Sequence, residues 1–276
     1  MTAIDRAEGR RAFGSDPDRY QDTRPSYPEE VFEILVKRCD LRPGSRIFEV
    51  GPGTGLSTRK LIEHGPTALV AVEPDERLAD FLMRTLGSTA AALNVQVSTF
   101  EHAVLPAAWF DLGTSASAFH WLDEMNSLRK IAEALREGGW WAMWWNLLFD
   151  GSRTDEFHKA TVTLFDNLDR GPSWSLDGSP PFALDAKSRI ANLEAVNAFE
   201  NIQFDTISWT VRFDTARLTR LYSTFSPISR LKAEERQKLL YSLGQVADRQ
   251  FGGQVELQIK TPIYIAQRRS NTPVAT

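Results

Sequence analysis

Ile47-Phe48-Glu49-Val50-Gly51-Pro52-Gly53-Thr54-Gly55 is the stretch on which the fold turns. An apolar, strand-like run leads directly into three glycines at alternate positions. Glycine there lets the backbone turn sharply and approach a ligand where a Cβ would clash. The following residues, Leu56 to His64, carry Leu56, Leu61 and Ile62 among polar side chains, which predicts a helix. Strand, glycine turn and helix start in that order form the layout of a nucleotide-cofactor site in an open α/β sheet.

A second signal follows at a fitting distance. Ala68-Leu69-Val70-Ala71-Val72 is the all-apolar run of a buried parallel strand, and it ends in Glu73, 18 residues after Gly55. An acidic residue about 20 residues beyond the turn grips a ribose diol in such folds. One carboxylate can accept from both hydroxyls.

The glycine spacing separates two cofactor classes. A dinucleotide fold places a glycine or alanine at the third position of G-x-G-x-x-G/A. Here that position is Leu56, and Gly55 is surplus to the pattern. The run E-x-G-x-G-x-G instead resembles motif I of the class I S-adenosylmethionine (SAM)-dependent methyltransferases. That resemblance implies that Glu49 ends the first strand, that Gly51, Gly53 and Gly55 approach the amino-acid end of SAM, and that Glu73 holds the ribose. It places Phe100 and Glu101, after a third strand at Val95–Ser98, beside the adenine.

A fourth strand opens at Ala108–Leu112 and leads to Ser115-Ala116-Ser117-Ala118-Phe119-His120-Trp121-Leu122. This resembles the strand-four exit of small-molecule methyltransferases, where an aromatic–His–Trp run lies next to the transferring methyl. Ser115 is thereby a cofactor candidate, and Phe119 and Trp121 are acceptor-pocket candidates. Tyr20-Gln21-Asp22-Thr23-Arg24-Pro25-Ser26-Tyr27-Pro28 resembles the Y-x-x-x-R-P-x-Y-P segment of the branch that includes trans-aconitate methyltransferases. There the segment folds over the cofactor, which implicates Tyr20 and Arg24. A guanidinium matches a carboxylate fork, so Arg24 meets a ligand carboxylate or stays a solvated charge.

Composition narrows the class. The chain has 276 residues, 42% hydrophobic and 25% charged, with net charge −4 and one cysteine, Cys39. That suits a globular enzyme with a real core and disfavours a broad phosphate-binding surface. It excludes an intrachain disulfide and a cysteine metal cluster. His102 and His158 have no partners at metal-ligand spacing, so no metal is expected. There is no apolar stretch of signal-peptide or membrane-helix length, which makes a cytoplasmic protein without membrane contact the default.

The expected fold is α/β: a Rossmann-like, doubly wound, seven-stranded sheet, mostly parallel with an antiparallel last strand, plus a helical lid insertion. The single domain, 1–276, reads as an N-terminal arm and helix over 1–40, a SAM-binding core over 41–149, a lid insertion over 150–200 and completion of the sheet over 201–269. A helix at 126–136 is expected to stop at Gly138-Gly139, before a fifth strand over Trp140–Trp145. Alternation sends one pair of Trp140, Trp141, Trp144 and Trp145 to each face. Trp145, at the strand's end, and Trp174, in the lid, are then candidates for the acceptor pocket. Phe204–Phe213 and Val255–Ile265 alternate as a closing strand pair, with Pro262 marking a bulge or an edge. The tail Ser270–Thr276 reads as disordered.

Methyl transfer needs alignment of acceptor, methyl and sulfur more than a catalytic dyad. No motif for base-amine or C5 methylation is present, so nucleic acid is not the expected partner. The expected acceptor is a small molecule, through an oxygen of a carboxylic acid or phenol, and Arg217 and Arg220 are available for a carboxylate. His120 is either a general base or an orienting group. A monomer or homodimer is expected. The alternatives are an NAD(P)-dependent oxidoreductase and a SAM-binding protein without catalysis.

Overall fold

Residues 16–87, 92–148, 155–168 and 180–270 are described by the computed structural model. Seven strands form one sheet: β1 Arg46–Val50, β2 Ala68–Glu73, β3 Leu93–Val97, β4 Phe110–Ala116, β5 Leu135–Trp144, β6 Phe199–Asp214 and β7 Gln254–Arg268. Their order is β3-β2-β1-β4-β5-β7-β6. Only β7 runs against its neighbours, β5 and β6; the other pairings are parallel. The order reverses between β1 and β4, and a crevice opens at such a switch point beyond the strands' carboxyl ends.

The helices are α1 Pro17–Thr23, α2 Glu29–Arg38, α3 Leu56–Glu63, α4 Glu76–Leu86, α5 Glu124–Ala134, α6 Glu156–Thr161, α7 Ala186–Ala195, α8 Thr215–Ser223, α9 Ser226–Ser229 and α10 Ala233–Phe251. Both sheet faces are covered, which is why β2 reads as an unbroken apolar run as far as its last residue, Glu73. On one face Ile47, Leu69 and Trp144 pack with Leu35 of α2, Leu61 of α3 and Leu82 of α4. On the other, Phe48, Phe110 and Trp141 pack with Leu128 and Ile131 of α5 and Leu193 of α7. The four tryptophans divide as alternation requires, Trp141 and Trp145 to one cluster and Trp140 and Trp144 to the other. Cys39 is buried beneath α2.

Two local readings change. α5 ends at Ala134 rather than at the glycine pair, and Gly138 and Gly139 lie inside β5. Gly138 takes φ +71°, and the pairing jumps from Phe110↔Leu135 to Leu112↔Trp140. The glycines therefore make a strand irregularity, not a helix cap. Pro262 lies on a strand flanked on both sides, yet one residue past the last β5 pair, Trp144↔Ile263. The absent N–H interrupts the ladder there: the Pro262 carbonyl still accepts from the Trp145 amide at 3.2 Å, and pairing resumes at the isolated Leu147↔Lys260 bridge.

β6 and β7 run on beyond β5 as a long antiparallel ribbon. Its outer half forms a third core, in which Phe213, Val255 and Leu257 pack with Leu218 and Tyr222 of α8, Leu243 of α10 and Phe157 of α6. The described parts of the expected lid thus serve two layers. Residues 155–168 join this third core, whereas Ala183 and Leu193 join the main one and lead into β6, which starts at Phe199.

Candidate active site

A cleft opens at the ends of β1, β2 and β4, walled by the glycine turn, Glu73, Phe100, Trp121 and, from the N-terminal arm, Tyr20 and Tyr27. The three turn glycines have φ values of +67°, +57° and +88°. Their roles differ. A Cβ on Gly51 would lie 2.5 Å from the Ala118 Cβ, and one on Gly55 2.5 Å from Leu82 Cδ1. At Gly53 a Cβ would meet nothing within 4 Å. Two glycines therefore serve close packing, and the middle one presents bare backbone to open space.

Glu73 closes β2 with 5% of its surface exposed. Its Oε2 accepts from the Gly53 amide and its Oε1 from the Asp75 amide, both at 3.0 Å. Glu49 is fully buried. Thr58 Oγ1 donates to its Oε2 at 2.6 Å, while Oε1 is buried without a hydrogen-bond partner. Burial pushes this carboxyl up to about 7, against the Thr58 and Ser57 hydroxyls and with the charge of Glu73 adding to the rise. A buried carboxylate oxygen without a donor is unfavourable. An ammonium-bearing ligand is a group that would satisfy it. Glu49 and Gly55 lie outside the cleft wall, and the bare Gly53 backbone and the preset Glu73 carboxylate on that wall fit the adenosyl cofactor that the motifs imply.

Phe100 is buried at the cleft wall, stacked on Phe48 at 6.3 Å and 13°. Glu101 is exposed and lies outside the wall; its carbonyl accepts from Lys130 Nζ at 3.0 Å. Ser115 is also outside it, buried with its hydroxyl donating to the Val50 carbonyl at 2.9 Å as a tie between β4 and β1. Its neighbours Ala116, Ser117 and Ala118 form the wall instead.

The arm is fastened at three points. Tyr27 Oη donates to Ser117 Oγ at 3.0 Å. Asn146 Nδ2 donates to the Pro25 and Ser26 carbonyls at 3.2 and 3.1 Å. Arg24 Nε donates to Thr224 Oγ1 at 2.9 Å, with its guanidinium between the rings of Tyr20 and Phe225. Burial lowers the Arg24 pKa, and the neighbouring tyrosines Tyr20 and Tyr27 work in the opposite direction. Arg24 thus ties the arm to the end of α8 and is not part of the wall.

Around His120 the expected residues separate. Phe119 is fully buried against Trp141, at 5.4 Å. Trp121 lines the cleft. Trp145 is buried behind it, and its indole Nε1 donates to His120 Nδ1 at 3.0 Å. Phe182 packs on both rings. Trp174 and residues 271–276 lie outside the described residues. Among the described residues no group of His, Cys, Asp and Glu side chains could hold a metal, and no helix is long and apolar enough to cross a membrane.

Sequence reading missed Tyr27, Thr54, Ser57 and Ser117 as wall residues. Tyr27 lay within the quoted arm segment. Ser117 gave no sequence signal, because its placement depends on a φ of +56°. Leu56, the residue that breaks the dinucleotide pattern, itself lines the cleft.

Residues 48–143 match the family model described as "Methyltransferase domain". An uncharacterized methyltransferase of Schizosaccharomyces pombe is 24% identical over 94% of this chain and 97% of its own length. A malonyl-[acyl-carrier protein] O-methyltransferase of Geobacter sulfurreducens is 34% identical over 48% of this chain and 49% of its own. The chain thus spans about half the length of that relative. A proposed type II methyltransferase of Anaeromyxobacter dehalogenans has the same fold, with a TM-score of 0.62 at 19% identity, covering 89% of this chain and 97% of the other.

Proposed function

We propose that the chain, a class I SAM-dependent methyltransferase, methylates an oxygen of a small carboxylic acid or phenolic metabolite, the carboxylate being the acceptor that arrives already ionised. One observation carries this reading: the cleft wall holds no lysine, arginine, histidine or cysteine among the described residues. Its titratable groups are Tyr20, Tyr27 and Glu73. Glu73 is engaged by two amides, and burial pushes the Tyr27 phenol upward, keeping it a neutral donor. A site without a base in its wall suits a nucleophile that needs none, and a carboxylate is one.

SAM supplies an electrophilic methyl on a sulfonium. Glu49 would face its ammonium, Glu73 its ribose diol and Phe100 its adenine. Trp121 and Leu122 give the wall an apolar patch that excludes water and narrows the acceptor's orientations. The Geobacter relative is an O-methyltransferase, which supports an oxygen acceptor, as does the resemblance of the arm to the trans-aconitate branch. The absence of lysine and arginine from the described wall and the net charge of −4 disfavour nucleic acid. A cytoplasmic monomer or homodimer completes the reading.

The test is calorimetry with S-adenosylhomocysteine, followed by turnover assays on panels of small carboxylic acids, phenols, amines and RNA. Methyl ester or ether formation supports the reading. Methylation of amines or RNA alone overturns the acceptor class, and adenosyl-ligand binding without any turnover favours a non-catalytic SAM-binding protein.

A further inference from the structure

We propose that the paired hydroxyls of Tyr27 and Ser117 form a recognition point in the cleft that hydrogen-bonds a carboxylate acceptor and selects it over a phenol. The inference rests on the oxygen-acceptor reading above and chooses between its two acceptor classes.

Both residues line the cleft, Tyr27 from the arm and Ser117 from the exit of β4. Tyr27 Oη and Ser117 Oγ are 3.0 Å apart, and among the described residues neither oxygen has another hydrogen-bond partner. Two hydroxyls carry two protons, and the bond between them uses one. Whichever way that bond runs, one O–H is left over. With Tyr27 donating, the spare proton is that of Ser117, which is only half-buried. Burial pushes the Tyr27 phenol upward, so it keeps its proton.

The pair is held in place from both sides. Asn146 fixes the two carbonyls that precede Tyr27, and Trp144 meets the Tyr27 ring edge-on at 5.9 Å. The Ser117 amide donates to the Trp144 carbonyl at 2.8 Å while the residue takes φ +56°. That left-handed conformation favours glycine. A serine kept there points to a use for its hydroxyl.

Sheet order places the pair at the acceptor's end of the cleft. An adenosyl ligand with its adenine at Phe100 and its ribose at Glu73 would run from the β3 side to β2, and would turn its sulfur toward β1 and β4. Ser117 directly follows β4. The wall hydroxyls of Thr54 and Ser57 belong instead to the glycine turn and the start of α3, between β1 and β2 in the chain. A single spare donor, with no lysine or arginine on the described wall, suits a charge shared by two oxygens. One carboxylate oxygen accepts the hydrogen bond, and the other keeps its lone pairs for the methyl. On a phenolate the same bond falls on the reacting oxygen and weakens it as a nucleophile.

The test titrates the full chain, saturated with S-adenosylhomocysteine, with acetate, benzoate and phenol by calorimetry. The expected result is a carboxylate that binds more tightly than phenol. Tyr27→Phe and Ser117→Gly should each weaken it about 10-fold, with the Kd for S-adenosylhomocysteine kept within about 2-fold. Glycine accepts the φ of Ser117, so the urea midpoint of Ser117→Gly should stay close to the parent's and separate lost affinity from lost folding. For a carboxylic acid that is turned over, KM should rise about 10-fold and kcat stay within about 3-fold, as for an interaction made equally in the ground and transition states. Unchanged carboxylate affinity and KM in both variants overturns the proposal. An equal loss of S-adenosylhomocysteine affinity also overturns it, by placing the hydroxyl on the cofactor. Phenol binding and turnover without any carboxylate overturns the selection and leaves the oxygen-acceptor reading in place. If the parent chain binds and turns over neither class, that reading itself fails, and the proposal falls with it.

Discussion

The backbone amide of Gly53 donates to Glu73 Oε2 at 3.0 Å, joining the glycine turn to the end of β2. With the Asp75 amide on Oε1, this bond fixes the plane of the carboxylate before any ligand arrives. A carboxylate oxygen can accept more than one hydrogen bond, so a diol can add to amides already in place. Glu73→Gln replaces one acceptor with an NH₂ that faces a backbone N–H and removes the charge. The expected outcome is a 10–100-fold weaker affinity for S-adenosylhomocysteine by calorimetry, from the roughly 1.5–3 kcal/mol of a charged hydrogen bond. An unchanged affinity would remove Glu73 from the cofactor site.

Gly51 and Gly53 are expected to fail in opposite ways. In Gly51→Ala the new methyl meets the Ala118 Cβ at 2.5 Å with φ at +67°. Overpacking and left-handed strain together predict a loss of about 2–4 kcal/mol in chemical denaturation. Gly53→Ala meets nothing within 4 Å. It should lose only about 1–2 kcal/mol of stability, with at least a tenfold rise in Kd for the adenosyl ligand. The reverse pattern would show that Gly53, not Gly51, is the packing glycine.

The part of this molecule that sequence reading captured is local. Glu49, the three glycines and Glu73 lie on two consecutive strands and the turn between them, so their spacing alone places them together. The tryptophans of β5 also obeyed a simple rule, because alternation acts on neighbours. What escaped was set across the chain. Arg24 finds Thr224 some 200 positions away, and no periodicity announces such a pair. Gly138 and Gly139 were read as a helix end because a positive-φ glycine serves a cap and a strand irregularity equally well. Ser115 lies within β4 and Ser117 just past its end, where a positive φ accompanies its place in the cleft wall.

Arg24 and Thr224 make a pair whose separate removal distinguishes two roles. If Arg24 acts as the anchor seen here, Thr224→Val and Arg24→Lys should each lower stability by about 1 kcal/mol through the lost hydrogen bond. Both should weaken cofactor binding to a similar extent, because Tyr20 and Tyr27 on the same arm wall the cleft. Calorimetry on the two variants tests this. A full affinity in Thr224→Val beside a tenfold loss in Arg24→Lys would assign Arg24 to the ligand's carboxylate instead.

Glu49 predicts a pH dependence of unusual sign for a carboxyl. Burial raises it from an ordinary 4.5 to about 7 in the folded state, so between those values the folded chain holds a proton that the unfolded chain has released. Its contribution to stability is therefore fully present below about 4.5 and is lost as pH rises through about 7. The total is roughly 3 kcal/mol at one proton's worth of linkage. Urea denaturation from pH 5 to 8 should show this decline, and Glu49→Gln should flatten it, leaving the variant more stable than the parent at pH 8. A cationic ligand beside the orphaned Oε1 favours the ionised carboxylate. Binding of S-adenosylhomocysteine at pH 6.5 should then release a fraction of a proton, read as a heat that varies with the ionisation enthalpy of the buffer. Glu49→Gln should abolish that variation; a buffer-independent heat in the parent would place the ligand's ammonium away from Glu49.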